Sequence, residues 1–455
     1  MIKQNSLTEL GTKPVGRLLM QYAVPAIIAT AASSLYSIID SIFIGQGVGP
    51  LAISGLALTT PLMALTAAFG AMVGVGASTL LSVKLGEKDY DTSQLILGNV
   101  LVLNILMGVS LGIFLLLLLD PILYFFGASD ATIPYARDFM RVILIGNVVT
   151  HLYLGLNAML RAAGKPKKAM LATIHTVIIN IILAPIFIYA FHWGIEGAAL
   201  ATVIAQTSVL IWQFKLFNDK SELIRLKPGI YKLKKRIVKE SLAIGLSPFL
   251  INFCSCLVVI ILTRSMVEYG GDMAVGAYGI INRIVFLFIM IVIGINQGMQ
   301  PIAGYNFGAR YYDRLTGVLK YSIIMAVAVM SVGFIVGMFF PYACARAFTT
   351  NQELIEQSGR GMRLVVMFFP IVGVQIVTVS FFQSIGHVGK SIFLSLTRQL
   401  IFLIPLLFIL PHFWGITGVW LSMPIADSIA CILAISLLYN QIRKFKKKSI
   451  TPKEL

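Results

Sequence analysis

Asp40 stands in Tyr36-Ser-Ile-Ile-Asp40-Ser-Ile-Phe-Ile-Gly45, the last part of an apolar run that begins near Leu18. A carboxylic acid inside a bilayer-length apolar helix is costly to ionise, and by default it marks an ion or proton pathway. The competing reading is an acid near the outer end of its helix that simply reaches water. Asn180, midway along a later run in Asn180-Ile-Ile-Leu-Ala-Pro185, and Thr202, near the start of the next, extend the first reading. An acid with an amide and a hydroxyl can hold a proton or a desolvated cation, because burial strengthens a carboxyl's hold on its proton. The plainer reading of Asn180 and Thr202 is hydrogen bonding between helices. In the second half of the chain Arg398 and Asp427 also fall within apolar runs. Pairing is the cheapest way to bury both, so a structural ion pair is expected there rather than a second transport site. Tyr36, Met63, Asn157, Gln297 and Gln300 are candidates for the wall of a substrate cavity, where soft aromatic and thioether surfaces favour promiscuous binding. Pro25 removes a backbone hydrogen bond from the helix that carries Asp40. It is read either as a hinge or as a static kink.

The elements that position these residues must be membrane helices. Of the 455 residues, 58% are hydrophobic and 12% charged, and mean hydropathy is +0.87. A soluble domain carries roughly 25% charged residues, so this is an all-α polytopic membrane protein, its long unbroken runs excluding the alternating strands of a barrel. The polar start, Met1 to Arg17, lacks a signal-peptide pattern, so the first helix is expected to be retained. The net charge of +17 is clustered between the apolar runs. That distribution fits loops facing anionic membrane lipid, not a nucleic acid. Cys254, Cys256, Cys344 and Cys431 read as small core residues without disulfide or metal. Phosphate-loop, nucleophile-elbow and zinc signatures are missing, so neither an enzyme nor ATP-driven transport is expected, and no cofactor.

Twelve runs are long enough to span a bilayer, at roughly 18–44, 52–82, 95–119, 134–159, 169–191, 197–217, 241–264, 275–302, 317–340, 361–384, 391–410 and 416–440. Lys and Arg concentrate in the even connections and at both ends. Both termini are therefore expected on the cytoplasmic side of a multi-pass protein of the cell (inner) membrane. The chain also repeats itself. Gly194-Ile-Glu-Gly197 resembles Gly415-Ile-Thr-Gly418, Gly86 matches Gly308, Gly164 matches Gly386 and Pro25 matches Pro248, all at nearly one offset. The expected organisation is two parallel six-helix repeats around a central cleft, as in secondary transporters. It comprises an N-lobe at 1–218, a basic linker at 219–240 that tethers the halves along the inner leaflet, a C-lobe at 241–442 and a basic tail at 443–455.

The ordered set of Tyr36 to Gly45, Gly86-Glu-Lys-Asp-Tyr90, Leu160 to Pro166, Asn180 to Pro185, Ala277 to Arg283 and Pro301 to Gly308 resembles the multidrug and toxic-compound extrusion (MATE) family, in its MepA-like branch, over essentially the whole length. The resemblance implies export of cationic or amphipathic small molecules against inward H+ or Na+. It implies ion coupling at Asp40 with Asn180 and Thr202 as neighbours, and bending of the first helix at Pro25 on protonation. Three positions depart from patterns in the family: Ala184, Cys256 and Gln297 stand where acids occur in other members. A hard cation wants several oxygen ligands, so H+ is favoured over Na+. A monomer is expected. The alternatives are a lipid-linked oligosaccharide flippase of the same superfamily, which would want a cationic cleft, and a receptor or scaffold without a transport cycle.

Overall fold

In lipid every backbone amide must be satisfied within its own segment, so an apolar chain of this kind becomes helix. The computed structural model describes residues 5–450, and no strand occurs among them. Eight helices are long and apolar enough to cross a bilayer, and two further pairs, each bent by more than 50°, act together as one span each. Two of the eight, 74 and 62 residues long, are broken at Gly271 and Gly415 and hold two spans apiece. The total is twelve.

The first three spans are α1 (Val15–Gly47), α2 (Pro50–Gly86) and α3 (Tyr90–Leu117). The bent pair α4 (Ile133–Ile145 and Asn147–Ala162), α5 (Pro166–Ala190) and α6 (Gly194–Phe217) follow. In the second half α7 and α8 occupy 235–270 and 272–308 on either side of Gly271, and α9 is Tyr312–Phe339. The second bent pair is α10 (Gln352–Val366 and Phe369–Ser384). α11 and α12 occupy 388–414 and 416–449 around Gly415.

The duplication reaches the backbone itself. Left-handed φ angles occur in pairs, at Gly49 and Gly271, Lys88 and Arg310, Gly164 and Gly386, and Gly194 and Gly415, separated by 222, 222, 222 and 221 residues. These are the turns between spans. Glycine adopts that conformation freely; Lys88 and Arg310 hold it against the usual steric preference.

The chain divides into two compact units, one containing Ile28–Phe249 with the described residues of Met1–Thr12, the other containing Lys13–Ile27 and Leu250–Leu455. The division therefore falls inside α1, two residues past Pro25, and inside α7, one residue past Pro248. Each first half is seated by glycines. In the first unit a Cβ on Gly76 of α2 would lie 1.9 Å from the Ser241 carbonyl oxygen, and one on Gly245 of α7 would lie 1.7 Å from that of Met72. In the second unit a Cβ on Gly298 of α8 would lie 2.6 Å from the Ala23 nitrogen of α1. Gly76 and Gly298 are 222 residues apart, so one backbone-to-backbone contact occurs once in each unit.

The core of the first unit gathers Ile44, Leu62, Phe139, Met140, Ala184 and Ile195, all buried. The basic linker is hydrogen-bonded to α3. The side-chain amide of Gln94 on α3 pairs with both the carbonyl and the N–H of Arg225. Asn99 donates to the carbonyls of Ile230 and Lys232 at 3.4 and 3.1 Å and accepts from the N–H of Lys234 at 2.8 Å. Lys165 and Glu222, both nearly buried, close an ion pair of 2.8 Å. Two neutral amides on one face of α3 thus take the place of a partner strand.

Candidate functional site

One turn of α1 separates Tyr36 from Asp40, so both look the same way. α5 brings Asn180 to that face and α6 brings Thr202. The Tyr36 hydroxyl lies 2.9 Å from the Thr202 hydroxyl. Asn180 Nδ2 donates to both, at 2.8 Å each. Thr202 Oγ1 also donates back to the Ala198 carbonyl at 3.2 Å. Three helices are tied by one amide and two hydroxyls. Asp40 is only 8% exposed, and its Oδ1 has no hydrogen-bond partner among the described residues; the same holds for Asn180 Oδ1.

This arrangement differs in one respect from the sequence expectation of an acid held by an amide and a hydroxyl. The amide and the hydroxyl hold each other and Tyr36. The acid sits one turn on, with a bare oxygen. The signal for Tyr36 was its spacing of four from Asp40. Ala184, where an acid would have added a second carboxylate, lies fully buried in the apolar core.

Met63 packs against the apolar core of the first unit, with its sulfur 3.8 Å from the Thr59 hydroxyl. Asn157 is spent near the turn after α4. It donates to the Ala169 carbonyl and the Thr173 hydroxyl at 3.2 and 3.1 Å and accepts from Arg161 at 2.8 Å. Gln297 and Gln300 are half-buried on α8 in the second unit. Pro25 lies in the first half of α1, without breaking the helix. Arg398 and Asp427 join through Nε and Oδ1 at 2.5 Å, with 28% and 13% of their side chains exposed. Arg398 lies in a π-helical turn, Thr397–Leu403. The neighbouring Gln399 donates to the Ser255 hydroxyl at 3.0 Å.

Twelve spans in a duplicated order, with polar groups buried in the bilayer-spanning part, define a multi-pass membrane protein of the secondary-transporter type. The MatE family model matches twice, at residues 25–186 and 248–409, and both matches begin on the paired prolines. The chain belongs to the MatE family. It is 28% identical over 443 residues to "Multidrug export protein MepA" of Staphylococcus aureus (strain MSSA476), covering 96% of each chain. It is 26% identical over 439 residues to the protein of that name from Staphylococcus haemolyticus (strain JCSC1435), again covering 96% of each. Among solved structures it is similar to "Crystal structure of MATE in the straight conformation", with TM-score 0.91 and 25% identity, covering 97% of this chain and 99% of the other. It is also similar to "Crystal structure of MATE in the bent conformation", with TM-score 0.92 and 24% identity, covering 98% and 99%.

Proposed function

We propose that this protein is a secondary multidrug exporter of the cell membrane, with both termini cytoplasmic. It moves cationic or amphipathic small molecules outward in exchange for protons taken up at Asp40. The observation that carries the reading is a buried carboxyl with a bare oxygen beside a Tyr36–Asn180–Thr202 network. Kinship supports the substrate class, since the relatives' name is that of a multidrug export protein.

The chemistry follows from what a carboxyl can do in its two states. Ionised, Asp40 only accepts, and its charge lies one turn from the Tyr36 hydroxyl of the network. Protonated, it can also donate, and Asn180 Oδ1, the network's oxygen without a partner among the described residues, can only accept. Loading a proton thus changes how the second half of α1 can be held against α5. α1 passes from one compact unit to the other just after Pro25, so a change in how its second half is held is absorbed at a residue that already lacks one helix hydrogen bond. The similar structures, one of MATE in the straight and one in the bent conformation, fit such a movement. Sodium is the weaker choice, because a hard cation wants several oxygens and this group offers a single carboxylate.

The test uses purified protein in liposomes loaded with a fluorescent cationic drug, wild type beside Asp40→Asn, with proton and sodium gradients imposed separately. Proton-driven flux that disappears in the variant is the expected result. Flux that follows sodium and survives the substitution would remove Asp40 from the mechanism. A protein that moves no drug under either gradient would return the flippase reading.

A further inference from the structure

The side of α3 that the linker covers becomes an open apolar side further along the helix. Gly98 and Asn99 are buried, whereas Ile105 and Leu106, seven residues on, are exposed, and so are Val109 and Ile113. Residues seven apart on a helix look the same way, so one face of α3 is covered in its first turns and bare afterwards. The cover is the linker. A Cβ on Gly98 would lie 2.2 Å from the Ile230 carbonyl oxygen, and the Asn99 side chain is bonded to the backbone at Ile230, Lys232 and Lys234. An apolar helix face left open within a spanning segment meets hydrocarbon. The linker therefore sits on the lipid side of α3, where the apolar run of that helix begins, and its outer surface lies at the height of the lipid headgroups.

The chemistry of that outer surface is mixed. Ile230 is buried, while Tyr231 and Leu233 are 45% and 43% exposed. From Leu223 to Lys239 the chain has seven Lys or Arg and no acid. The flanking acids are taken, Glu222 by Lys165 and Glu240 by Arg236, both at 2.8 Å. Arg236 also lies in the field of Glu87 and Asp89, and Arg225 is turned to the Lys220 carbonyl. Lys232 and Lys234, which alternate with Tyr231 and Leu233, are exposed and in no ion pair among the described residues. A ring and an aliphatic side chain at the edge of the hydrocarbon, interleaved with lysines whose stems carry charge out to phosphate, are the groups that hold a protein surface against anionic lipid.

We propose that the linker and the open face of α3 form a binding site for an anionic phospholipid. Lys232 and Lys234 hold its phosphate, and an acyl chain follows Ile105, Leu106, Val109 and Ile113, with Tyr231 and Leu233 at the junction. Gln94 and Asn99 fix the linker backbone before lipid arrives, so binding has only side chains to order and no loop. That separates this site from the general attraction of basic loops to a charged membrane. The linker runs directly into the first half of α7, and both belong to the first unit, so the bound lipid grips that unit at one edge. Binding involves neither proton nor drug and stands apart from the role of Asp40.

The experiment uses the purified full-length protein in neutral detergent. Phosphatidylglycerol or phosphatidylcholine is added stepwise, and the lipid retained is read by native mass spectrometry. Wild type is expected to retain phosphatidylglycerol at about a tenfold lower concentration than phosphatidylcholine. Lys232→Gln with Lys234→Gln is expected to weaken phosphatidylglycerol retention at least about tenfold, and the corresponding pair of Lys→Arg changes to preserve it. Tyr231→Ser with Leu233→Ser leaves the charge unchanged and is expected to weaken retention about threefold. All four positions are on the surface, so each variant should keep the wild-type Tm. Equal retention of the two lipids by wild type would overturn the proposal, as would a preference that survives the Lys→Gln pair. Retention unchanged in Tyr231→Ser with Leu233→Ser, or displacement of the lipid by inorganic phosphate at the same concentration, would show a charged surface that binds phosphate without a lipid site, and would overturn it too.

Discussion

Tyr36→Phe removes one oxygen and nothing else, and the structure says what that oxygen does. It meets the Thr202 hydroxyl at 2.9 Å and accepts from Asn180 at 2.8 Å. Interhelical hydrogen bonds inside membrane proteins average about 0.6 kcal/mol each and reach about 1.7, because the unfolded chain in lipid finds other partners. Two of them predict a loss of about 1 to 3 kcal/mol. Thr202→Val removes two contacts of the same network, with Asn180 at 2.8 Å and with Tyr36. The double variant should cost less than the sum of the singles by about 0.6 to 1.7 kcal/mol, the coupling of the two hydroxyls. The assay is equilibrium unfolding in mixed detergent for the wild type, both single variants and the double. Proton-driven efflux is measured on the same four proteins. Efflux should fall in Tyr36→Phe, because α1 then loses its side-chain hydrogen bonds to Asn180 and Thr202 beside Asp40 and keeps the Tyr189 hydroxyl bond to the Phe43 carbonyl. A coupling below about 0.3 kcal/mol, within the additivity expected of independent sites, would show that this hydroxyl pair does not tie α1 to α6. The account of how Asp40 is presented would then fail.

Gly76→Ala and Gly245→Ala each drive a methyl to within 2 Å of a backbone oxygen; backbone cannot step aside as a side-chain tip can, so each should destabilise by about 3 kcal/mol or more, read as lost folded yield and a lowered Tm. Arg398→Gln leaves Asp427 as a largely buried charge without its partner and should cost about 3 to 5 kcal/mol in unfolding experiments, whereas Arg398→Leu with Asp427→Leu should restore most of that; a double variant as weak as the single would mean that the pair is needed for more than mutual neutralisation. His387, in the connection before α11, is held at about 4 against an ordinary 6.5, by burial first and then by Lys390, Lys448 and Lys444. Between those values the unfolded chain binds the extra proton and the folded one does not, so stability falls as pH drops from about 6.5 towards 4. His387→Gln should flatten that part of a Tm-against-pH curve, and an unchanged slope would count against the assignment.

How much of this was readable beforehand depended on whether a signal was local. The spans were, because apolar length is written continuously along the chain. Their ends lay a few residues further out, as at Val15–Gly47 and Pro50–Gly86, since helices continue through polar ends into the interface. The duplication was also local, in glycine spacing, and the paired left-handed turns give its physical cause. The gathering of Asn180 with Thr202 could be suspected from polarity in lipid, where such groups must find each other. That Tyr36 joins them was signalled only by its spacing of four from Asp40, because a tyrosine in an apolar run reads equally well as cavity wall or packing. Asn157 reads from the sequence as a cavity residue, and the structure gives its side-chain oxygen to Arg161, one turn away. The partners of the linker were not legible: its composition suits a lipid surface, and Gln94 and Asn99, which bond it, lie more than 120 residues earlier, where neutral amides announce no partner.

The units do not follow chain order, and this bears on the mechanism. The first half of α1 belongs to the unit built mainly from the second repeat, and the first half of α7 to the unit built mainly from the first. Both transfers end at matched prolines. A duplicated chain that exchanges its leading half-helices has two hinges of one design, and the hydrogen bond that Pro25 removes from α1 is removed by Pro248 from α7. α1 carries a buried acid, Asp40, on the far side of its proline, whereas the acid that follows Pro248 in α7, Glu268, is exposed near the end of the helix, so on this reading only α1 is driven by a proton. Cys256, eight residues beyond Pro248, is where α7 lacks one. On this argument the two hinges are alike in backbone and unlike in control. Pro25→Ala should slow proton-driven efflux, because it stiffens the hinge that Asp40 drives. Pro248→Ala should slow efflux at every pH alike, because the acid beyond that proline, Glu268, is exposed and not buried beside a polar network as Asp40 is. Transport rates of the two variants across pH 5 to 8 decide it. A pH-dependent defect in Pro248→Ala would place a second proton-driven element in the second repeat.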